Sequence, residues 1–172
     1  SFGISEKTEE WEQMCAYNDA KYELIQELIE NGQIDENRIY ISGASSGGGG
    51  VLSFVTQYPD LFAAALPICA KDVIVPMSET YGLAYKFDGE LTISDEDYQE
   101  CYQKMADYIE KHDITEVPIW FVHAENDPVC TSYTSTILYQ VLEDMGAKNN
   151  KMTLYTDAEM LEAGQTFFHS SW

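Results

Sequence analysis

The stretch Asn37-Arg38-Ile39-Tyr40-Ile41-Ser42-Gly43-Ala44-Ser45-Ser46-Gly47-Gly48 runs from an apolar strand pattern straight into a glycine-rich turn. Arg38 to Ser42 reads as a short strand through Ile39, Tyr40 and Ile41, and Ser46 to Tyr58 reads as a helix ended by Pro59. Between them Gly43-Ala44-Ser45-Ser46-Gly47 fits G-x-S-x-G in the strand–turn–helix context that this motif requires. Such a turn is strained and brings strand and helix close together, which is why small residues flank Ser45. The Ser45 hydroxyl would then stand above the carboxyl edge of a sheet. The N–H of Ser46, helped by the dipole of the helix it opens, could donate to a developing oxyanion. A plainer alternative is a glycine-rich turn with an incidental serine. A phosphate loop is a second alternative, because Gly43 and Gly48 match G-x-x-x-x-G-K-[ST]. Gly49 and Gly50 occupy its lysine and hydroxyl positions, however, so the main charge on the phosphates is missing.

Working outward, Trp11, Met14, Cys15, Asn18, Tyr22, Ile25, Leu28 and Ile29 fall at helical spacing, and Gly32 suits a C-terminal cap. Phe62 to Cys69 is small and apolar throughout, as in a buried parallel strand. The rhythm then breaks from Lys71 to Asp113. Within that segment Ser94-Asp95-Glu96-Asp97 predicts a helix start, and Tyr98, Cys101, Tyr102, Met105, Tyr108 and Ile109 form its stripe. Val117 to His123 is a buried strand, Thr131 to Met145 a helix closed by Gly146, and Lys151 to Thr156 a last strand. Strands alternating with helices imply an α/β architecture with a parallel sheet.

A serine nucleophile needs a base, and the chain offers His112, His123 and His169. His112 ends a charged helix, and His123 ends a buried strand where a satisfied core histidine is the simpler reading. His169 follows the last strand, which is where the order serine, acid, histidine puts the base. The acid must orient the imidazole and stabilise its charged form. Asp127 lies just past the strand ending at His123 and would point into the same crevice as Ser45. Glu125 in the same turn and Asp157 after the next strand are its rivals, and Asp127-Pro128 is also an ordinary turn signature.

The 172 residues suffice for one domain with a core and not for two. Thirty acidic residues face nine basic ones, a formal net charge of −21 that argues against nucleic acid and anionic membrane as partners. No apolar run approaches the roughly 20 residues of a membrane-spanning helix, and no secretion leader is visible. Cys15, Cys69, Cys101 and Cys130 show no CxxC pair and read as buried free thiols, so no metal is expected.

The sequence resembles the α/β-hydrolase superfamily, and within it esterases related to feruloyl and acetyl-xylan esterases, polyhydroxybutyrate depolymerases and prolyl-oligopeptidase-like hydrolases. The resemblance rests on the stretch quoted first and on Tyr58-Pro59-Asp60-Leu61-Phe62-Ala63-Ala64-Ala65. It continues in Val117-Pro118-Ile119-Trp120-Phe121-Val122-His123 leading into Asp127-Pro128-Val129, and in His169-Ser170-Ser171-Trp172. It implies an α/β-hydrolase-type parallel sheet flanked by helices, with Ser45, Asp127 and His169 as triad and Ser46 as oxyanion donor. Two features depart from the family pattern. One helix and one strand precede Ser45, so the N-terminal strands and the second oxyanion donor are unaccounted for. The approach from Asp157 to Phe168 is also longer than usual.

The expectation is therefore the C-terminal catalytic portion of a single domain over residues 1–172, with a cap-like insertion at about 71–115. Tyr81, Tyr85 and Phe87 in that insertion are candidate substrate-lining residues, although aromatics there equally suit a small core of their own. The activity expected is hydrolysis of carboxylic esters through an acyl-enzyme, on a small-molecule or polysaccharide-linked ester, carbohydrate-linked or aromatic in its acyl part, with no cofactor. A prolyl-oligopeptidase-type serine peptidase and a non-catalytic binding domain are the alternatives. The rate should rise with pH as His169 becomes neutral, between about pH 5 and 8 for an ordinary imidazole. The flank of the Ser45 strand should be completed by further N-terminal polypeptide or by another chain.

Overall fold

Short runs rich in apolar and small residues, with the alternation Lys151-Met152-Thr153-Leu154-Tyr155 in the last, suit strands of a parallel sheet. The computed structural model describes residues 9–83 and 92–172 and forms these runs into β1 (Tyr40–Ala44), β2 (Ala64–Ile68), β3 (Trp120–Ala124) and β4 (Lys151–Tyr155). All neighbouring pairs are parallel, and the spatial order β1-β2-β3-β4 follows the chain. Parallel neighbours need crossovers, supplied here by α2 (Ser46–Gln57), by α3 (Met77–Thr80) with α4 (Asp95–Lys111), and by α5 (Tyr133–Asp144). This is the parallel sheet of an α/β-hydrolase, present as part of that domain.

The register decides which side chains meet the helices. Ile41 pairs with Ala65, which bridges to Ile119, and that row joins Leu52 and Val55 of α2 and Ile137 and Leu138 of α5 in one core. α2 packs on β1 and β2, α5 on β3 and β4, and α4 on α5. α1 (Glu9–Glu30) lies over α2, where Asn18 donates to Ser53 at 3.0 Å and Tyr22 stacks on Tyr58 at 4.2 Å between centroids. Among the described residues the opposite face of the sheet is uncovered at Tyr40, 68% exposed, and at Trp120, 44% exposed. β1 is an edge strand: among the described residues β2 is its one strand neighbour.

The boundaries move by two or three residues for local reasons. β1 starts at Tyr40 because Asp35 caps a 3-10 turn over Glu36–Arg38, accepting from the Asn37 N–H at 3.0 Å and pairing with Arg38 at 2.8 Å. β3 starts at Trp120 because Pro118 has no N–H to give to the ladder. Ser94 caps α4 as expected, and Gly32 ends α1 at φ +68° with bonds from the Gln33 N–H to Leu28 and from its own N–H to Ile29. A sixth helix, α6 (Asp157–Glu162), follows β4 where the sequence reading placed an irregular approach to His169. Its signal was the capping box Thr156-Asp157-Ala158-Glu159, whose reciprocal bonds are both made.

The turn from β1 into α2 tolerates no side chain at position 43. A Cβ on Gly43 would sit 2.5 Å from the Gly47 carbonyl oxygen, a backbone atom that the helix holds in place. A Cβ on Gly50, inside α2, would meet nothing within 4 Å. Gly43→Ala should therefore destabilise the fold by roughly 3 kcal/mol, the upper end for overpacking. Gly50→Ala should stabilise it by about 1 kcal/mol through helix propensity. Urea midpoints of the two variants moving in the same direction would contradict this account of the turn.

Candidate active site

Ser45 separates β1 from α2 and holds φ 57°, ψ −119°, a conformation that costs a non-glycine residue of the order of 1–3 kcal/mol. The surrounding backbone fixes it there. Its N–H donates to Ile68 at 3.0 Å, and its carbonyl accepts from Gly49 at 3.1 Å and Lys71 at 3.0 Å. The side chain thus stands at the carboxyl edge of the sheet. Ser46 is the first residue of α2, a position whose N–H has no acceptor within the helix.

Asp127 follows β3 by three residues and is completely buried. Its Oδ1 accepts from the N–H groups of Val129 at 2.8 Å and Cys130 at 2.9 Å. Its Oδ2 takes His169 Nδ1 at 2.7 Å, with His123 Nε2 at 3.5 Å. Burial pushes this carboxyl up, but the donors from His123, His169, Cys130 and Val129 together outweigh burial and hold it below its ordinary value. The Asp127 hydrogen bond raises the His169 imidazole to about 9, Cys69 adds to the effect, and burial opposes it. Phe167 and Trp172 fix the ring plane edge-on at centroid distances of 5.9 Å and 5.7 Å.

The hydrogen bond between Asp127 and His169 thus brings two of the three expected residues together, and the rivals lie elsewhere. Glu125 is exposed, with its N–H on the Tyr155 carbonyl at 2.9 Å. Asp157 opens α6 and accepts from Asn126 at 3.1 Å. His112 caps α4 beside Tyr108. His123 is a satisfied core histidine, bonded through Nδ1 to Ser135 Oγ at 2.8 Å and through Nε2 to the Cys130 carbonyl at 2.9 Å. With Nε2–H on that carbonyl and beside Asp127, it also steadies the acid. Tyr81 donates to Glu100 of α4 at 3.1 Å, and among the described residues no hydrogen bond or ring contact links it to Ser45, Asp127 or His169. Tyr85 and Phe87 lie outside the described residues.

Ser45 Oγ is not bonded to His169 among the described residues; its side-chain neighbour is Cys130 Sγ at 4.0 Å. Burial, with the Asp127 charge, pushes the Cys130 thiol up to about 12, so it is an inert wall. Cys69, one residue beyond β2 at φ 37°, is fully buried, and its N–H donates to Val122 at 2.8 Å. Sequence reasoning read both as buried free thiols, which they are, without placing them beside Ser45 and His169. The rule that carboxyl ends of parallel strands converge, applied to Asp127, would have found Cys69 as well.

The comparisons bear on the fold and the family. The chain matches the prolyl oligopeptidase family over residues 3–159, and no curated protein matches it. Among solved structures it is similar to a thermostable esterase, with 29% identity and a TM-score of 0.59 over 88% of this chain and 31% of that one. It is similar to an acylaminoacyl peptidase in complex with Z-Gly-Gly-Phe-chloromethyl ketone, with 25% identity and a TM-score of 0.54 over 80% of this chain and 22% of that one. Arabidopsis thaliana SOBER1, at 14% identity and a TM-score of 0.54 over 87% of this chain and 60% of that one, shares the fold. The chain thus spans under a third of the length of the esterase and of the acylaminoacyl peptidase. By its family match, its parallel sheet and its strained serine turn, the chain belongs to the prolyl oligopeptidase family and carries part of an α/β-hydrolase fold.

Proposed function

We propose that this chain supplies the nucleophile, acid and base of a serine hydrolase that cleaves carboxylic esters through an acyl-enzyme. The observation that carries the reading is the strained Ser45 turn on the sheet edge from which the buried Asp127–His169 pair also projects. Ser45 Oγ attacks the ester carbonyl while His169 Nε2 takes its proton. Asp127 keeps the other ring nitrogen protonated. The Ser46 N–H faces the oxyanion, the alcohol leaves with the proton from His169, and water releases the acid by the same steps. The Ser45 hydroxyl must turn from Cys130 to the imidazole when substrate binds, a tightening common to sites without substrate. A second oxyanion donor would come from polypeptide completing the open flank of β1, which the exposure of Tyr40 supports. The substrate is read as a small-molecule or polysaccharide-linked ester, with Tyr81, Tyr85 and Phe87 retained as candidate contacts.

Peptide hydrolysis is the second reading, favoured by the family match and by the likeness to an acylaminoacyl peptidase. A fluorophosphonate should label Ser45, and aryl esters should turn over faster than N-acylated or proline-containing peptides. An unlabelled Ser45 would favour a binding domain, and peptides outpacing esters would favour the peptidase.

The pH dependence follows from the ion pair. Only neutral imidazole accepts the serine proton, and the folded pKa is raised, so the active form is scarce below it and grows as pH rises through about 9. The limb in kcat/KM should lie near pH 9, above the range for an ordinary histidine. Asp127→Asn should move it down toward about 6.5. A limb that stays in place in that variant would mean that Asp127 is not what raises His169.

A further inference from the structure

Cys69, Asp127 and His169 each present one atom able to ligate a metal, and the three atoms lie within 4.8 Å of one another. They come from three separate parts of the chain: just past β2, just past β3, and after α6. All three are buried, Cys69 and Asp127 fully and His169 to 7% exposure. A thiolate, an imidazole and a carboxylate form a zinc-type donor set, which leaves a fourth position open to water. Tetrahedral bonds of that kind put neighbouring ligand atoms about 3.3–3.8 Å apart, so closing the set asks for movement of about 1 Å. The charges also balance: a divalent ion against one thiolate and one carboxylate leaves no net charge buried, the condition that makes an interior ion tolerable. The Val129, Cys130 and His123 donors already orient Asp127, as outer partners orient the ligands of metal sites. The surrounding charge of −21 raises the local concentration of cations.

We infer that Cys69, Asp127 and His169 form a binding site for a zinc-type divalent cation, and that an ion held there switches the hydrolase off. On binding, the Cys69 thiol loses its proton to solvent as the S–metal bond forms. The His169 ring likewise releases one of its two protons to solvent and gives the freed lone pair to the ion, which also draws Asp127 to itself, so the ring can no longer accept the Ser45 proton. The loss of activity rests on the reading of Asp127 and His169 as acid and base; the binding does not.

The test uses Co2+ on the chelator-stripped protein as a spectroscopic stand-in for zinc. The expected result is one equivalent bound with a thiolate-to-cobalt charge-transfer band in the near ultraviolet, displaced by Zn2+. That band should vanish in Cys69→Ser and in Cys69→Ala and persist in Cys130→Ala. Aryl-ester hydrolysis, read relative to each variant's own metal-free rate, should be inhibited by Zn2+ and restored by EDTA. Cys69→Ser should need about tenfold more Zn2+ or higher, since losing a ligand costs at least what losing an outer partner does. Absence of the band, or a band that survives in Cys69→Ser, overturns the site whether or not the protein hydrolyses esters. Zinc binding that leaves hydrolysis untouched overturns the switch.

Discussion

Alanine at position 45 should abolish nearly all hydrolysis, a loss on the order of a millionfold in kcat if serine, acid and base act as a unit. The fold should survive the change. The bonds that hold this residue are main-chain ones, to Ile68, Gly49 and Lys71, and among the described residues the polar side-chain contact of its hydroxyl is Cys130 Sγ at 4.0 Å. Glycine at the same position sharpens the test, because φ 57°, ψ −119° is strained for serine and open to glycine. Ser45→Gly should therefore lose as much activity as Ser45→Ala while unfolding at a higher urea concentration, with up to about 1–3 kcal/mol of strain relieved. Activity and stability then move in opposite directions from one atom group. Near-normal turnover in either variant, with the same preparation tested for labelling, would remove Ser45 from the mechanism.

Asp127→Asn should cost about 10⁴-fold in kcat, and the geometry says why. Oδ1 accepts two backbone N–H groups, at 2.8 Å and 2.9 Å, so the amide oxygen of asparagine must stay there. The amide NH2 then faces His169 Nδ1 and donates to it. The ring is forced to carry its proton on Nε2, the nitrogen that must accept from Ser45. Glu125→Gln, two residues away, should change little, because that side chain is exposed and only its backbone joins β4 through Tyr155. Single-turnover rates of the two variants decide the matter, and a larger loss in Glu125→Gln would place the acid there.

The parts of the fold legible in the sequence are those that short-range physics dictates. Strand, turn and helix around Ser45 are spelled out in a dozen consecutive residues, and Gly43 is there because a backbone oxygen occupies the space of a Cβ. Asp127 and His169 could be placed from strand ends and chain order. The hydrogen bond between them spans 42 residues and is a property of the sheet. What sequence reading missed depends on contacts no local pattern encodes. Cys69 and Cys130 looked like ordinary buried thiols, and their positions beside His169 and Ser45 follow from three strands ending together. Tyr81, by contrast, was an aromatic in an irregular stretch, and its hydroxyl is engaged by Glu100 on α4. Spacing along the chain likewise says nothing of Cys69, Asp127 and His169 as a group, whose ligand-type atoms folding brings within 4.8 Å of one another. Only α6 was overlooked with its signal in plain view.

The spatial order of the strands copies their order along the chain, so each new strand docks beside the one made just before it. Each pairing still closes across a whole crossover, as where Ile68 meets Val122 beyond α3 and α4, and parallel pairing of that kind forms slowly. The strained turn is in place once α2 and β2 have settled, whereas His169 arrives only after α6. Between α6 and His169 the chain from 163 to 168 is largely exposed and belongs to no strand or helix. A protease cutting there would leave the four strands and their helices intact while severing the base from the covalent frame that aims it. If His169 is the base, a cut in this tether would end activity while leaving the sheet folded.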